Sequence, residues 1–325
     1  MVTDLRFQAG DDPSGQAGAG QAPAATLLFQ FAAHLAQAGK ARESAEMFRR
    51  AYLLQPSVGP LLRKDMLEGE GARLRDYAAG LIRNGVTFSA VIAALAVAEA
   101  LQGDEAEVRR LVDYDRFFKG EIMDPPEGWD HASFNRDLAA EIRTDLHYYD
   151  EPPRRAIRRA WRQEQVMESP LPALRSWAGN IRAIVERYMR SAPAGLDHPF
   201  ASARPSDYGI EAWALVSDGD SFHHPHIHPR AWMSGVYYVT CPPAARAPGS
   251  RRGWLHIGPP EKYGVSADQG WAERMFAPEP GALVMMPAYF YHWTHPMGCD
   301  EERICLVFDV VPVELGSQGS AETDY

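Results

Sequence analysis

The hydrophobic period of this chain changes near residue 207, and that change limits what the chain can become. Upstream, apolar residues recur at three or four positions: Leu28, Phe31, Ala32 and Leu35, then Phe48 and Ala51. That spacing lines one face of a helix. Gly39 and Pro56 punctuate the first two helices, and helical patterns continue over 73–84 and 88–115 with Gly103 between the last two. Downstream, apolar runs at 208–216, 232–239, 253–257, 282–286 and 303–311 read as strands separated by Gly and Pro. Short strands without helices between them predict a β-sandwich or jelly roll. The expected fold class is therefore α+β, a helical repeat-like N-terminal region followed by a jelly roll (double-stranded β-helix). Flanking helices are expected near 134–143 and 170–190.

A chain of 325 residues has room for two domains. Residues 1–24, mostly Gly, Ala, Pro, Gln and Asp beyond residue 8, are expected to be a disordered tail. Residues 25–117 form the expected helical region and 118–315 the β-rich domain, with Pro125, Pro126 and Gly128 near the boundary. Residues 316–325 are expected to be a flexible tail. The small-residue and aromatic spacing after Ala25 resembles one tetratricopeptide repeat of about 34 residues, although Ser44 stands where such repeats usually carry Ala. One repeat cannot bury its apolar face alone. The region is either a cap on the next domain or a groove for a peptide or partner.

Basic residues number 33 and acidic ones 43, a net charge of −10. This excludes a general nucleic-acid or anionic-membrane binder, since both require positive surface. Cys241, Cys299 and Cys305 show no disulfide framework, so a reducing cytoplasm is expected. No apolar run reaches the ~18 residues of a membrane span, and no secretory signal is expected. Arg154, Arg155, Arg158, Arg159 and Arg162 have offsets that cover one side of a helix. A solvated face is the default expectation for them, and a site for an acidic substrate is the alternative.

Four of the eleven histidines fall between 223 and 228, in SFHHPHIHPRAW. In extended chain, residues two apart face the same way, so His226 and His228 can point together. Imidazole is a good iron ligand, and two imidazoles with a distant third ligand make a facial site with open positions. His292, leaving an apolar strand in PGALVMMPAYFYHWTHP, suits the third place better than His295. His223 and His224 diverge and read as supporting or surface groups, and His256 reads as a core histidine. Arg303 heads the strand RICLVFDVVP. A lone Arg there suits an internal anion, because guanidinium matches a carboxylate with two parallel hydrogen bonds.

The strings PHIHPRAWMSGVYYV, GWLHIG, PGALVMMPAYFYHWTHP and RICLVFDVVP resemble the jelly-roll oxygenases that depend on 2-oxoglutarate and iron(II). That family often carries N-terminal tetratricopeptide repeats and is related to prolyl and aspartyl/asparaginyl hydroxylases. The resemblance runs from about Phe134 to Val313. It implies an oxygenase that uses iron(II), 2-oxoglutarate and O2, releases succinate and CO2, and hydroxylates a protein or peptide residue. It implies His226, His228 and His292 as metal ligands and Arg303 as partner of the distal carboxylate of 2-oxoglutarate. Tyr238 falls where related enzymes place a Tyr on that carboxylate, and Ser234 points the same way along the strand. Two positions depart from the pattern. His228 stands where the wider superfamily has Asp, so the site is either three-histidine or a two-histidine site of His226 and His292. Cys305 stands where many relatives have Ser. A small-molecule hydroxylase, or a cupin-like three-histidine protein without 2-oxoglutarate chemistry, are the competing readings. On the protein-substrate reading, removing residues 1–117 should abolish turnover and leave 2-oxoglutarate binding intact. Trp232, Trp254, Trp271 and Trp293 are expected mostly in the core.

Overall fold

The computed structural model describes residues 21–149, 157–191, 196–247 and 249–315. The two expected tails fall mainly outside these ranges, as do Arg154 and Arg155. The first helix begins at Gln21, inside the segment expected to be a tail. No helix among the described residues is long and apolar enough to cross a membrane.

Seven helices lead the described chain: α1 (Gln21–Gln37), α2 (Ala41–Leu54), α3 (Pro60–Glu68), α4 (Gly71–Arg83), α5 (Ser89–Leu101), α6 (Glu105–Leu111) and α7 (Tyr114–Phe117). α1 packs along α2, and α4 along α5. Helix α3 has no counterpart in the sequence reading. It is short, and Leu62 and Met66 are its only buried apolar residues, too few to show a period. Helix α5 is buried from Ser89 to Ala100, as an all-round apolar helix must be.

The strands are β1 (Lys119–Ile122), β2 (His147–Tyr149), β3 (Ile157–Gln163), β4 (Tyr208–His226), β5 (Met233–Thr240), β6 (Leu255–Ile257), β7 (Arg274–Phe276), β8 (Ala282–Pro287), β9 (His292–Thr294) and β10 (Cys299–Pro312). Their order is β1-β8-β5-β10-β4-β9-β6-β7, with β3 added to β4 and β2 to β3. Every pairing is antiparallel. Strand β4 belongs to both halves of the jelly roll. Its first part pairs with β10, and its last residues pair with β9.

The arginine-rich segment is a strand, not a helix. Arg158 pairs with Phe222, Trp161 with Val216 and Arg162 with Leu215. Offsets of four, such as 158 and 162, share a face in a strand as well as in a helix, so the spacing alone does not separate the two.

Helices α8 (His131–Ile142) and α9 (Pro172–Ser191) cover the outer face of the β8-β5-β10-β4 layer. The Tyr237 hydroxyl donates to Asn135 Oδ1 at 2.7 Å, and Trp177 meets Phe308 edge-on at 6.3 Å. Gly235 is what lets Phe308 lie flat here. A Cβ at 235 would stand 2.3 Å from Phe308 Cζ and 2.9 Å from the Val284 carbonyl oxygen. Gly235→Ala is therefore expected to cost about 1–3 kcal/mol, the range for overpacked cores. It should lower the denaturant midpoint without changing the slope of the transition.

One apolar core runs from α1 to β10 without a break at residue 117. The helical region also holds the segments beside the clustered histidines. The Tyr52 hydroxyl donates to the Pro229 carbonyl, and Ser89 Oγ to the Ala231 carbonyl at 2.6 Å. The Tyr289 hydroxyl donates to the Leu111 carbonyl at 2.5 Å, and Trp271 Nε1 to the Tyr114 hydroxyl at 3.0 Å.

Candidate metal centre

Strand β4 ends at His226, and its pairing with β9 sets His226 directly opposite His292, with ring centroids 4.2 Å apart. His228 lies just past the strand end. Its backbone N–H donates to the Ala288 carbonyl at 2.9 Å, which ties it to the segment leading to His292. His228 Nε2 lies 3.3 Å from His226 Nε2. All three rings are buried, and one nitrogen of each lies within 4.8 Å of the others.

The second nitrogen of each ring is occupied. His226 Nδ1 meets the His224 carbonyl at 2.7 Å, and His292 Nδ1 meets the Phe290 carbonyl at 2.9 Å. His228 Nδ1 meets both carboxylate oxygens of Asp309, at 2.8 and 2.9 Å. A carbonyl or carboxylate oxygen accepts, so each Nδ1 carries a proton and each ring turns its Nε2 toward the other two. Burial pushes His292 down to about 3, aided by neighbouring His228, and pushes His226 well below the usual histidine range. Both rings are thus neutral at pH 7. Three buried imidazoles, each turning one nitrogen toward the other two, are the donor set a divalent transition metal requires.

Arg303 sits in the same interior, 3% exposed. Its Nη1 donates to the Gly253 carbonyl at 2.7 Å, and its buried Nε has no hydrogen-bond partner. Among the described residues no carboxylate pairs with it. Gly253 has φ +65, and a Cβ there would fall 2.3 Å from Met297 Sδ and 3.1 Å from Arg303 Nη1, so only glycine lets the chain pass this close. Tyr238 pairs in register with Cys305 and is fully buried. Burial raises the Tyr238 phenol and the Cys241 and Cys305 thiols, and the Arg303 guanidinium opposes the rise at each. A buried, incompletely satisfied guanidinium beside a phenol fits an anionic carboxylate ligand.

Ser234 lies on the same face of β5 as Tyr238, but its hydroxyl is used by Asp309, donating to Oδ1 at 2.5 Å. His295 faces His256 instead of the three rings, 3.4 Å from His256 Nδ1. His223 stacks on His226 at 5.7 Å, and the His224 ring packs on Phe222. Trp232 and Trp271 are core, and Trp293 covers His256 at 4.0 Å.

Sequence reasoning missed two residues here. Asp309 stands an even number of positions from Arg303 in the otherwise apolar run 304–311 of β10, so period two already put it on the inner face. Trp213 lies parallel to His228 at 6.1 Å and 21°, with the Arg162 guanidinium 4.5 Å from its own ring. Together with Leu215 and Val307 it forms a small apolar cluster separate from the main core.

Residues 211–309 match the model of a family described as "Putative 2OG-Fe(II) oxygenase". No curated protein is similar to the chain. Among solved structures, a Pseudomonas putida prolyl-4-hydroxylase is 18% identical, covering 62% of this chain and 95% of its own, with a TM-score of 0.42. A Trichoplax adhaerens prolyl hydroxylase, in complex with a hypoxia inducible factor peptide fragment, is 12% identical over 68% of this chain and 96% of its own, with a TM-score of 0.42. HygX from Streptomyces hygroscopicus, with nickel and 2-oxoglutarate bound, is 13% identical over 66% and 96%, with a TM-score of 0.41.

Proposed function

We infer that this chain, a 2OG-Fe(II) oxygenase over residues 211–309, binds iron(II) through His226, His228 and His292 and hydroxylates a residue of a protein or peptide. The observation that carries the co-substrate is Arg303, a buried guanidinium with an unpartnered Nε and, among the described residues, no carboxylate paired with it. Iron(II) bound to the three histidines would supply the redox chemistry by which O2 oxidises 2-oxoglutarate to succinate and CO2 and a substrate C–H bond to an alcohol.

The protein's part is positioning and exclusion of water. Hydrogen bonds at Nδ1 hold the three rings with Nε2 inward, so no rotation is needed when metal enters. Arg303 offers the distal carboxylate of 2-oxoglutarate a charge-assisted pair in a dry interior, and Tyr238 stands beside it. The apolar wall of Trp213, Leu215 and Val307 leaves the centre shielded on the β4–β10 side. The helix pair α1–α2, with its tetratricopeptide-like spacing, supports a peptide partner. The thiols, none in a disulfide, favour a reducing cytoplasm.

A small-molecule substrate is the second reading. It is favoured by the core shared between helices and barrel, which gives the helices a structural duty without any partner. Turnover of 2-oxoglutarate stimulated by peptides and not by metabolites would decide for the first.

Anaerobic titration with iron(II) and 2-oxoglutarate, followed by the visible charge-transfer band of the chelate, tests the reading. Arg303→Ala is expected to weaken 2-oxoglutarate binding by about 10–100-fold, matching the ~1.5–3 kcal/mol of a hydrogen bond to a charged group, while iron(II) binding persists. Bound iron with no band in the wild type would remove 2-oxoglutarate from the account.

A further inference from the structure

The three candidate ligands are all histidines, so the set itself brings no negative charge to a divalent metal. Their outer partners are unequal. His226 and His292 lean on backbone carbonyls, whereas His228 leans on a carboxylate through both of its oxygens. Asp309 is buried and lies in register between Ser234 on β5 and Glu211 on β4. Ser234 donates to Asp309 Oδ1, while the Glu211 carboxylate is taken by Arg230 at 3.0 and 3.1 Å. The arrangement leaves Asp309 with His228 and Ser234 as its hydrogen-bonding partners.

We propose that Asp309, held by Ser234, is the positioning residue of the metal centre, and that it lends a three-histidine set the negative charge its ligands lack. This rests on the reading of His226, His228 and His292 as metal ligands. Asp309 acts in two ways. It fixes the tautomer and plane of His228, with the Trp213 ring parallel to that plane at 6.1 Å. It also draws on the Nδ1 proton, which makes Nε2 a more basic donor. Both oxygens of Asp309 face Nδ1, the side of the ring away from the other two histidines, so it acts through His228 and not as a fourth ligand.

The test is calorimetric titration of the metal-free full chain, under anaerobic conditions, with iron(II) and separately with cobalt(II). Wild type is compared with Asp309→Asn, Asp309→Ala and Ser234→Ala, and each metal-free variant is melted to show that it is folded. Asp309→Asn keeps the shape and one acceptor but loses the charge. Asp309→Ala is expected to weaken both metals by about 10–100-fold, the usual effect of removing a partner behind a ligating histidine. Asp309→Asn should fall between it and wild type, and Ser234→Ala nearer to wild type. The cobalt(II) ligand-field bands should shift in both Asp309 variants, a change that a purely structural role does not produce. Folded Asp309 variants with wild-type affinity and unshifted bands would overturn the proposal and leave the metal centre standing. A wild type that binds neither metal would overturn the metal centre itself, and the proposal with it.

Discussion

A chain beginning at residue 118 is expected neither to melt cooperatively nor to bind iron(II), although it keeps every histidine of the metal set. The sequence alone predicts a boundary at 117, with 2-oxoglutarate binding surviving the cut. The core crosses that boundary. The cut removes Tyr52 and Ser89, which hold the carbonyls of Pro229 and Ala231 beside His228. It removes the Leu111 carbonyl that receives the Tyr289 hydroxyl ahead of His292. It also strips Tyr114 from Phe290 and Phe117 from Phe200, ring pairs at 4.9 and 5.2 Å. Loss of one buried aromatic side chain costs about 3–5 kcal/mol, against a total stability of about 5–15 kcal/mol for a domain. Several such losses exceed what a barrel can absorb. Thermal melting by circular dichroism and iron(II) titration of the shortened chain check this. A sharp transition with intact metal binding would mean that the helices merely rest on a self-sufficient barrel.

The sequence was most legible where one period ran long enough to be counted. The strands carrying Tyr237, Val284 and Leu306 show apolar runs bounded by Gly or Pro, and they appear within a few residues of their expected limits. Strand β9 is three residues long, so no period could reveal it. It is nevertheless the element that puts His292 opposite His226. The length of β4 was hidden for a different reason. Ser217, Asp218, Gly219, Asp220 and Ser221 look like a loop, yet they carry the strand from one half of the jelly roll to the other. The convergence of the three rings followed from local spacing for His226 and His228. For His292 it needed the family resemblance or the register itself. The role of Asp309 required a partner 81 residues away, and strand phase reports only which face a residue takes, never what it meets there.

His228→Ala and His292→Ala are expected to abolish metal binding alike, each by more than the ~10–100-fold assigned to a partner behind a ligand. The alternative of a two-histidine centre predicts otherwise: His292→Ala would lose the metal and His228→Ala would keep it. Geometry favours equality. The two rings lie 5.1 Å apart, His228 Nε2 lies 3.3 Å from His226 Nε2, and each Nδ1 is turned away into its own acceptor. His228→Ala carries a second cost, because it leaves the Asp309 carboxylate buried with Ser234 but without its imidazole. An unsatisfied buried polar group costs about 1–3 kcal/mol, so the metal-free variant should melt lower than metal-free His292→Ala. Binding only to the folded state stabilises it by about 2.7 kcal/mol when free metal stands at 100 times Kd. The decisive measurement is therefore the rise in melting temperature on adding metal, which subtracts each variant's own baseline. It should be present in wild type and absent in both variants. A rise retained in His228→Ala would assign the centre to His226 and His292 and leave His228 as the partner of Asp309 alone.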